Sequence, residues 1–150
     1  MRVIVQEKDF DLREETEKIR QNHPEIGALV SFVGLVRDHG QGGKVLEMRL
    51  EHYPGMTEKA LEALLSEAAR RWEIVDVTVI HRVGRLPASA QIVLVLVASQ
   101  HRKDAFRAAE FVMDRLKTEV PFWKKEKTAE GWHWVEAKAS DEIAASEWIG

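Results

Sequence analysis

Lys117 and Lys124 flank the run Thr118-Glu119-Val120-Pro121-Phe122-Trp123. A chain that turns at Pro121 and is anchored by the following aromatic pair would bring both ammonium groups to one pocket. A lysine partly desolvated beside other cations becomes available for acid–base or covalent chemistry. The alternative is that Lys117 simply closes a helix, where a cation meets the negative end of the dipole. The surroundings are basic: residues 101–127 hold eight Lys/Arg against five acids, a net charge of +3, leaving −6 for the remainder. That segment is either a focused anion site or one solvated helix face. At its start His101-Arg102 marks the passage from an apolar strand to a helix. Free backbone N–H groups and a guanidinium there bind anions, unless the two residues form only a surface capping pair.

Other chemistries are excluded. The loop Gly40-Gln41-Gly42-Gly43-Lys44 lacks the Ser or Thr that a phosphate-cradling P-loop places after its lysine, since Val45 follows. It reads as a mobile connection able to close over a ligand. The six histidines include no helical i, i+4 pair and no H-E-x-x-H, and the chain has no cysteine, so no metal site is expected. His52, His81 and His133 fall in predicted strands as hydrogen-bonded structural or interface residues. The absence of cysteine also excludes disulfides and any persulfide on this chain. No G-x-S-x-G elbow supports a serine hydrolase. A net charge of −3 argues against a general nucleic-acid binder. The apolar start MRVIVQ is too short for a signal peptide, and residues 92–98 are too few to span a membrane. A cytoplasmic protein is therefore expected.

The elements that must position these residues follow from periodicity. The 150 residues suit one domain, 1–150. After a short first strand, Asp9 or Asp11 caps a helix through about Asn22. Residues 26–36 (IGALVSFVGLV) and 45–52 read as strands, the second with one apolar face. Tyr53-Pro54-Gly55 turns the chain, and Thr57 is the expected N-cap of a helix with Ala60, Leu61, Leu64, Leu65, Ala68 and Trp72 on one side. Strands at 75–83 and 91–98 are separated by a turn around Gly84 and Pro87. The second is apolar on both faces and therefore central. A helix over about 102–117 carries the stripe Ala105, Ala109, Val112, Met113 and Leu116, with Phe106 beside it. Pro121 stops it. Short strands at 122–126 and 132–137 and a terminal helix at 141–148 complete an α+β chain.

Several strings together resemble the large, catalytic subunit family of molybdopterin synthase. They are Phe32-Val33-Gly34-Leu35-Val36-Arg37-Asp38-His39, Leu50-Glu51-His52-Tyr53-Pro54-Gly55-Met56 and Val79-Ile80-His81-Arg82-Val83-Gly84. Ser99-Gln100-His101-Arg102, Met113-Asp114-Arg115-Leu116-Lys117, Pro121-Phe122-Trp123-Lys124-Lys125-Glu126 and Trp134-Val135-Glu136-Ala137 continue the resemblance in order, over residues 27–137. It implies an α+β fold of the α/β-hammerhead type, with a mixed, largely antiparallel sheet and packed helices. It also implies a homodimer that carries a small ubiquitin-like sulfur-carrier subunit at each end, a heterotetramer. The implied activity is a sulfurtransferase of molybdenum cofactor biosynthesis that needs no cofactor of its own. The carrier's C-terminal thiocarboxylate would deliver sulfur to cyclic pyranopterin monophosphate, and the lack of cysteine fits a sulfur that arrives on a partner.

By this resemblance the substrate pocket falls on Arg37, His101, Arg102, Lys117, Lys124, Lys125 and Glu126. Arg37, His101 and Arg102 would hold the cyclic phosphate. Lys117 would meet the carrier's terminus and shuttle protons or stabilise an oxyanion. Lys124 would orient the pterin or share the proton transfers. Leu35 and Lys138 depart from relatives that carry lysine and arginine there. A scaffold that binds the carrier without turnover is the competing reading, and the intact lysine and arginine set opposes it.

Overall fold

The computed structural model describes residues 1–135 and 139–148. In chain order the strands are β1 (Arg2–Gln6), β2 (Ala28–Leu35), β3 (His39–Gly40), β4 (Gly43–Lys44), β5 (Glu47–His52), β6 (Asp76–Arg82), β7 (Gly84–Pro87), β8 (Gln91–Ser99), β9 (Phe122–Thr128) and β10 (Gly131–Val135). The helices are α1 (Leu12–Asn22), α2 (Met56–Arg71), α3 (Arg102–Glu119) and α4 (Ala139–Ser146). The strands form two four-stranded sheets, ordered β1-β6-β8-β2 and β10-β9-β5-β7, plus the small β3-β4 hairpin. Among the described residues only β1 and β6 pair in parallel, and every other strand pairing is antiparallel. This is the α+β architecture expected from strands that follow one another without crossover helices.

Strand β8 shows why the first sheet is covered on both faces. Successive side chains on a strand point to opposite sides. Val93, Val95 and Val97 therefore join the core under α2 and α3, with Leu61, Leu64, Leu65, Phe111 and Val112. Leu94, Leu96 and Ala98 pack on the other side with Phe10 and Ile19, beneath α1. Each fully buried leucine of α2 contributes about 1.5–3 kcal/mol, enough to hold the helix on the sheet. Asp11 caps α1, its carboxylate accepting from Glu14 N–H at 3.1 Å.

Three local expectations are corrected. Thr57 does not cap α2: Gly55, at φ +86°, stands at that position. The buried Thr57 hydroxyl instead donates to Pro121 C=O at 2.9 Å and accepts from Tyr53 N–H at 2.9 Å. A tertiary bond has displaced the local one, and it ties the start of α2 to the entry of β9. Phe106 lies exposed to solvent, and Phe111 fills the core in its place. The stretch around Gly84 and Pro87 is not merely a turn but the strand β7, paired with β5 from Leu50↔Gly84 to Glu47↔Pro87. Among the described residues no helix is long and apolar enough to cross a membrane.

Candidate active site

A cleft of about 920 Å³ opens between the two sheets at the C-terminal end of α3. Its walls receive Arg37 from the segment after β2, Lys117 from the last turn of α3, and Lys124 and Glu126 from β9. Val93, Leu50, Leu116 and Phe122 give it an apolar floor. Four of the seven residues expected in the pocket are thus gathered from three separate stretches of chain.

The alternation of β9 decides which of its residues participate. Phe122, Lys124 and Glu126 face the cleft, whereas Lys125 points the other way. Its ammonium lies 4.2 Å from the ring centroid of Trp134, the residue opposite it on β10, a cation–π contact on the outer face. Lys125 therefore does not line the cleft. Nor do His101 and Arg102, which begin α3 while Lys117 ends it. Fifteen residues at 1.5 Å per residue separate Arg102 from Lys117 by about 22 Å along the helix. His101 and Arg102 are exposed, and the His101 side chain makes no capping bond. Lys138 lies outside the described residues.

Glu126 is buried, 6% exposed, and the hairpin closes over it. A Cβ added at Gly40 would collide with the Glu126 carboxylate, so only glycine permits this approach. The glycine-rich loop is thus partly ordered as β3-β4, with Gly40 and Gln41 on the cleft wall. Beside it a hydrogen bond from His39 Nδ1 at 2.6 Å holds the Asp38 carboxyl below its ordinary pKa.

Two further residues of the cleft were not assigned to the site by sequence reasoning. Asp141, in the first turn of α4, lies on the cleft wall with Oδ1 3.9 Å from Lys117 Nζ. With Lys117 half exposed, such a pair contributes only about 0–1 kcal/mol; it orients the ammonium more than it stabilises the fold. No local signal in the tail could have revealed this contact. His81, expected as a hydrogen-bonded structural or interface residue, does make such a bond, from Nδ1 to Arg82 C=O at 2.8 Å. It also lines the cleft. Burial pushes its pKa down to about 4, against the opposing effect of the Arg82 carbonyl, and nearby His52 adds to the depression.

Three cationic side chains above an apolar floor, with a buried carboxylate among them, define a site for an anionic ligand that also presents a flat or apolar body. The model of the family described as MoaE protein matches residues 5–119. The chain is 57% identical over 146 residues to a protein of Ralstonia nicotianae named molybdopterin synthase catalytic subunit, covering 97% of this chain and 83% of that one. A solved structure of a molybdopterin biosynthesis MoaE protein from Burkholderia ambifaria superposes with a TM-score of 0.83 at 53% identity, covering 99% and 98% of the two chains. The crystal structure of molybdopterin synthase from Staphylococcus aureus gives 0.78 at 34% identity, over 89% of this chain and 95% of that one. The chain belongs to the MoaE protein family.

Proposed function

We propose that this chain is the catalytic subunit of a molybdopterin synthase. It converts cyclic pyranopterin monophosphate to molybdopterin with sulfur from the C-terminal thiocarboxylate of a small ubiquitin-like carrier. The observation that carries the reading is the convergence of Arg37, Lys117, Lys124 and Glu126 on one cleft. Arg37 supplies a planar fork of donors for the phosphate. Lys117, at the half-exposed mouth, meets the carrier's tail. The carrier's thiocarboxylate sulfur attacks a side-chain carbon of the pterin, whose C–O bond breaks with the electron pair leaving on oxygen, which takes up a proton. Water next adds to the glycine acyl carbon. The C–S bond then breaks, leaving its electron pair on sulfur and a carboxylate on the carrier. Lys117 stabilises the oxyanion of that addition, and Lys124 orients the pterin or shares the proton transfers. Glu126, closed in by Gly40, is suited to accept a donor from the ligand.

His101 and Arg102 belong to this reading through a second copy of the chain. Their distance from Lys117 along α3 keeps them from the cleft of their own subunit. A homodimer that apposes the start of one α3 to the cleft of its partner would complete a phosphate site.

Reconstitution with thiocarboxylated carrier and precursor tests the proposal. Lys117→Ala is expected to lower turnover by about 10²–10⁴-fold, with the fold and carrier binding retained. Turnover at the wild-type rate in that variant would remove Lys117 from the chemistry. Carrier binding without product in the unmodified protein would establish the scaffold reading instead.

A further inference from the structure

His81 is a polar residue in the middle of an apolar wall. It sits on β6, where its neighbours Val79 and Ile80 are buried in the cores on either side of the sheet. It is itself only 5% exposed, yet its side chain forms part of the cleft together with Leu50, Val93 and Phe122. A polar group buried in such surroundings is ordinarily satisfied on all its hydrogen-bonding atoms. Here one ring nitrogen is accounted for and the other is not.

The accounted nitrogen fixes the chemistry of the second. Nδ1 lies 2.8 Å from the carbonyl oxygen of Arg82. A carbonyl can only accept, so Nδ1 carries the proton. With the ring neutral, Nε2 is then a lone-pair acceptor. Burial keeps it so, because the ring's pKa of about 4 leaves it uncharged throughout the physiological range. Among the described residues nothing donates to Nε2. The ring cannot readily turn to find a partner, since Phe122 stacks on it with centroids 3.9 Å apart and planes 20° apart. Phe122 is in turn held by the strand pairing opposite His52 and by the Thr57–Pro121 bond just before it. His52, the strand partner of Phe122, has its Nε2 3.9 Å from Glu58 Oε1.

We infer that His81 is a further ligand-binding residue of the cleft, whose Nε2 accepts a hydrogen bond from an N–H or O–H donor of the bound heterocycle. The inference rests on the reading that a phosphorylated pterin occupies this cleft, and it deepens that reading by assigning the recognition of the ring. His81 is too weak a base to abstract protons near neutral pH, since effective general bases have pKa values near the working pH. Its contribution is therefore selection and orientation. A site built to receive a donor discriminates against an analogue that presents an acceptor or a methyl group there, because the bound analogue then covers the nitrogen and leaves it unpaired. Reduced pterins carry ring N–H and amino donors along one edge, which suits an acceptor fixed in an apolar wall.

The test uses the full chain carrying ¹⁵N-labelled histidine. In the free protein the His81 ring is expected to show the Nδ1-protonated neutral tautomer between pH 6 and 8. Saturation with the cyclic pyranopterin precursor, monitored in parallel by calorimetry, should shift the Nε2 resonance in the sense of a newly accepted hydrogen bond. His81→Phe keeps the size of the ring and its stacking on Phe122 but removes the acceptor. It is expected to raise the precursor KM about five- to tenfold, the worth of one neutral hydrogen bond, with a smaller change in kcat. His81→Gln returns an acceptor at similar reach and should recover part of that loss. Precursor binding of normal affinity with an unmoved Nε2 resonance overturns this inference alone. A wild-type protein to which the precursor does not bind at all overturns the functional reading, and this inference with it.

Discussion

At the scale of single residues, His81 couples the cleft to stability as well as to binding. Its folded pKa of about 4 lies below the value of about 6.5 for an unfolded histidine. The unfolded chain therefore binds more protons than the folded one between these values, and stability rises with pH across that window. The stabilisation is fully present above about pH 6.5 and is lost progressively as the pH falls to about 4. A displacement of about 2.5 units corresponds to about 3 kcal/mol. Urea denaturation at pH 7 and pH 4.5 should show a fall of that order beyond the loss seen in His81→Phe. Equal pH dependence in the two proteins would assign the effect to other groups. The sequence revealed His81 as a hydrogen-bonded strand histidine, because its place in an apolar run was plain. Its exposure to a cavity was not legible, since that depends on how β6 meets β9 from a distant part of the chain. Lys125 fails to line the cleft for the opposite reason: the strand period of two separates it from Lys124 and Glu126, although all three are contiguous in the motif.

At the scale of elements, periodicity carried most of the information. The doubly apolar β8, the buried stripe of α2 and the stop at Pro121 were all visible, because each follows from one repeating pattern. Strand β7 was not, because Gly84 and Pro87 punctuate the chain as a turn does and pair with β5 only through tertiary register. Helix α4 was expected, but its role in bringing Asp141 beside Lys117 was hidden. That role depends on an anchor at its far end. Trp148 is 6% exposed and packs edge-on against Trp72 and Phe111, both at 5.5 Å. Its indole N–H donates to Asp114 at 2.6 Å, and the Arg107 guanidinium lies 4.6 Å from its ring centroid. These contacts tie the chain just after α4 to α3 and to Trp72 at the end of α2. Trp148→Ala removes burial worth about 3–5 kcal/mol, more than a short terminal helix can spare. It is expected to raise amide exchange throughout α4 while leaving β8 protected. Unchanged exchange in α4 would show that other contacts hold it and that Asp141 does not depend on this anchor.

At the scale of the whole molecule, one chain carries two groups of basic residues that cannot meet. Arg37, Lys117 and Lys124 share a cleft; His101 and Arg102 begin the same helix that Lys117 ends, about 22 Å away. A rigid helix with its interior face buried in the core does not bend to close that gap. Either the two residues play no part in the reaction, or the cleft of one subunit is completed by the helix start of another. The two cases separate by complementation. Lys117→Ala and Arg102→Ala homodimers should each be impaired. In a mixed dimer in which each site draws Lys117 from one subunit and Arg102 from the other, one site carries both substitutions and the other carries neither. Unfolding and reassembling the two variants together is therefore expected to restore about a quarter of the wild-type turnover, because half the dimers formed are mixed and each has one intact site of two. If both residues acted within a single subunit, every site would carry one substitution, and mixing would restore nothing above the average of the parents.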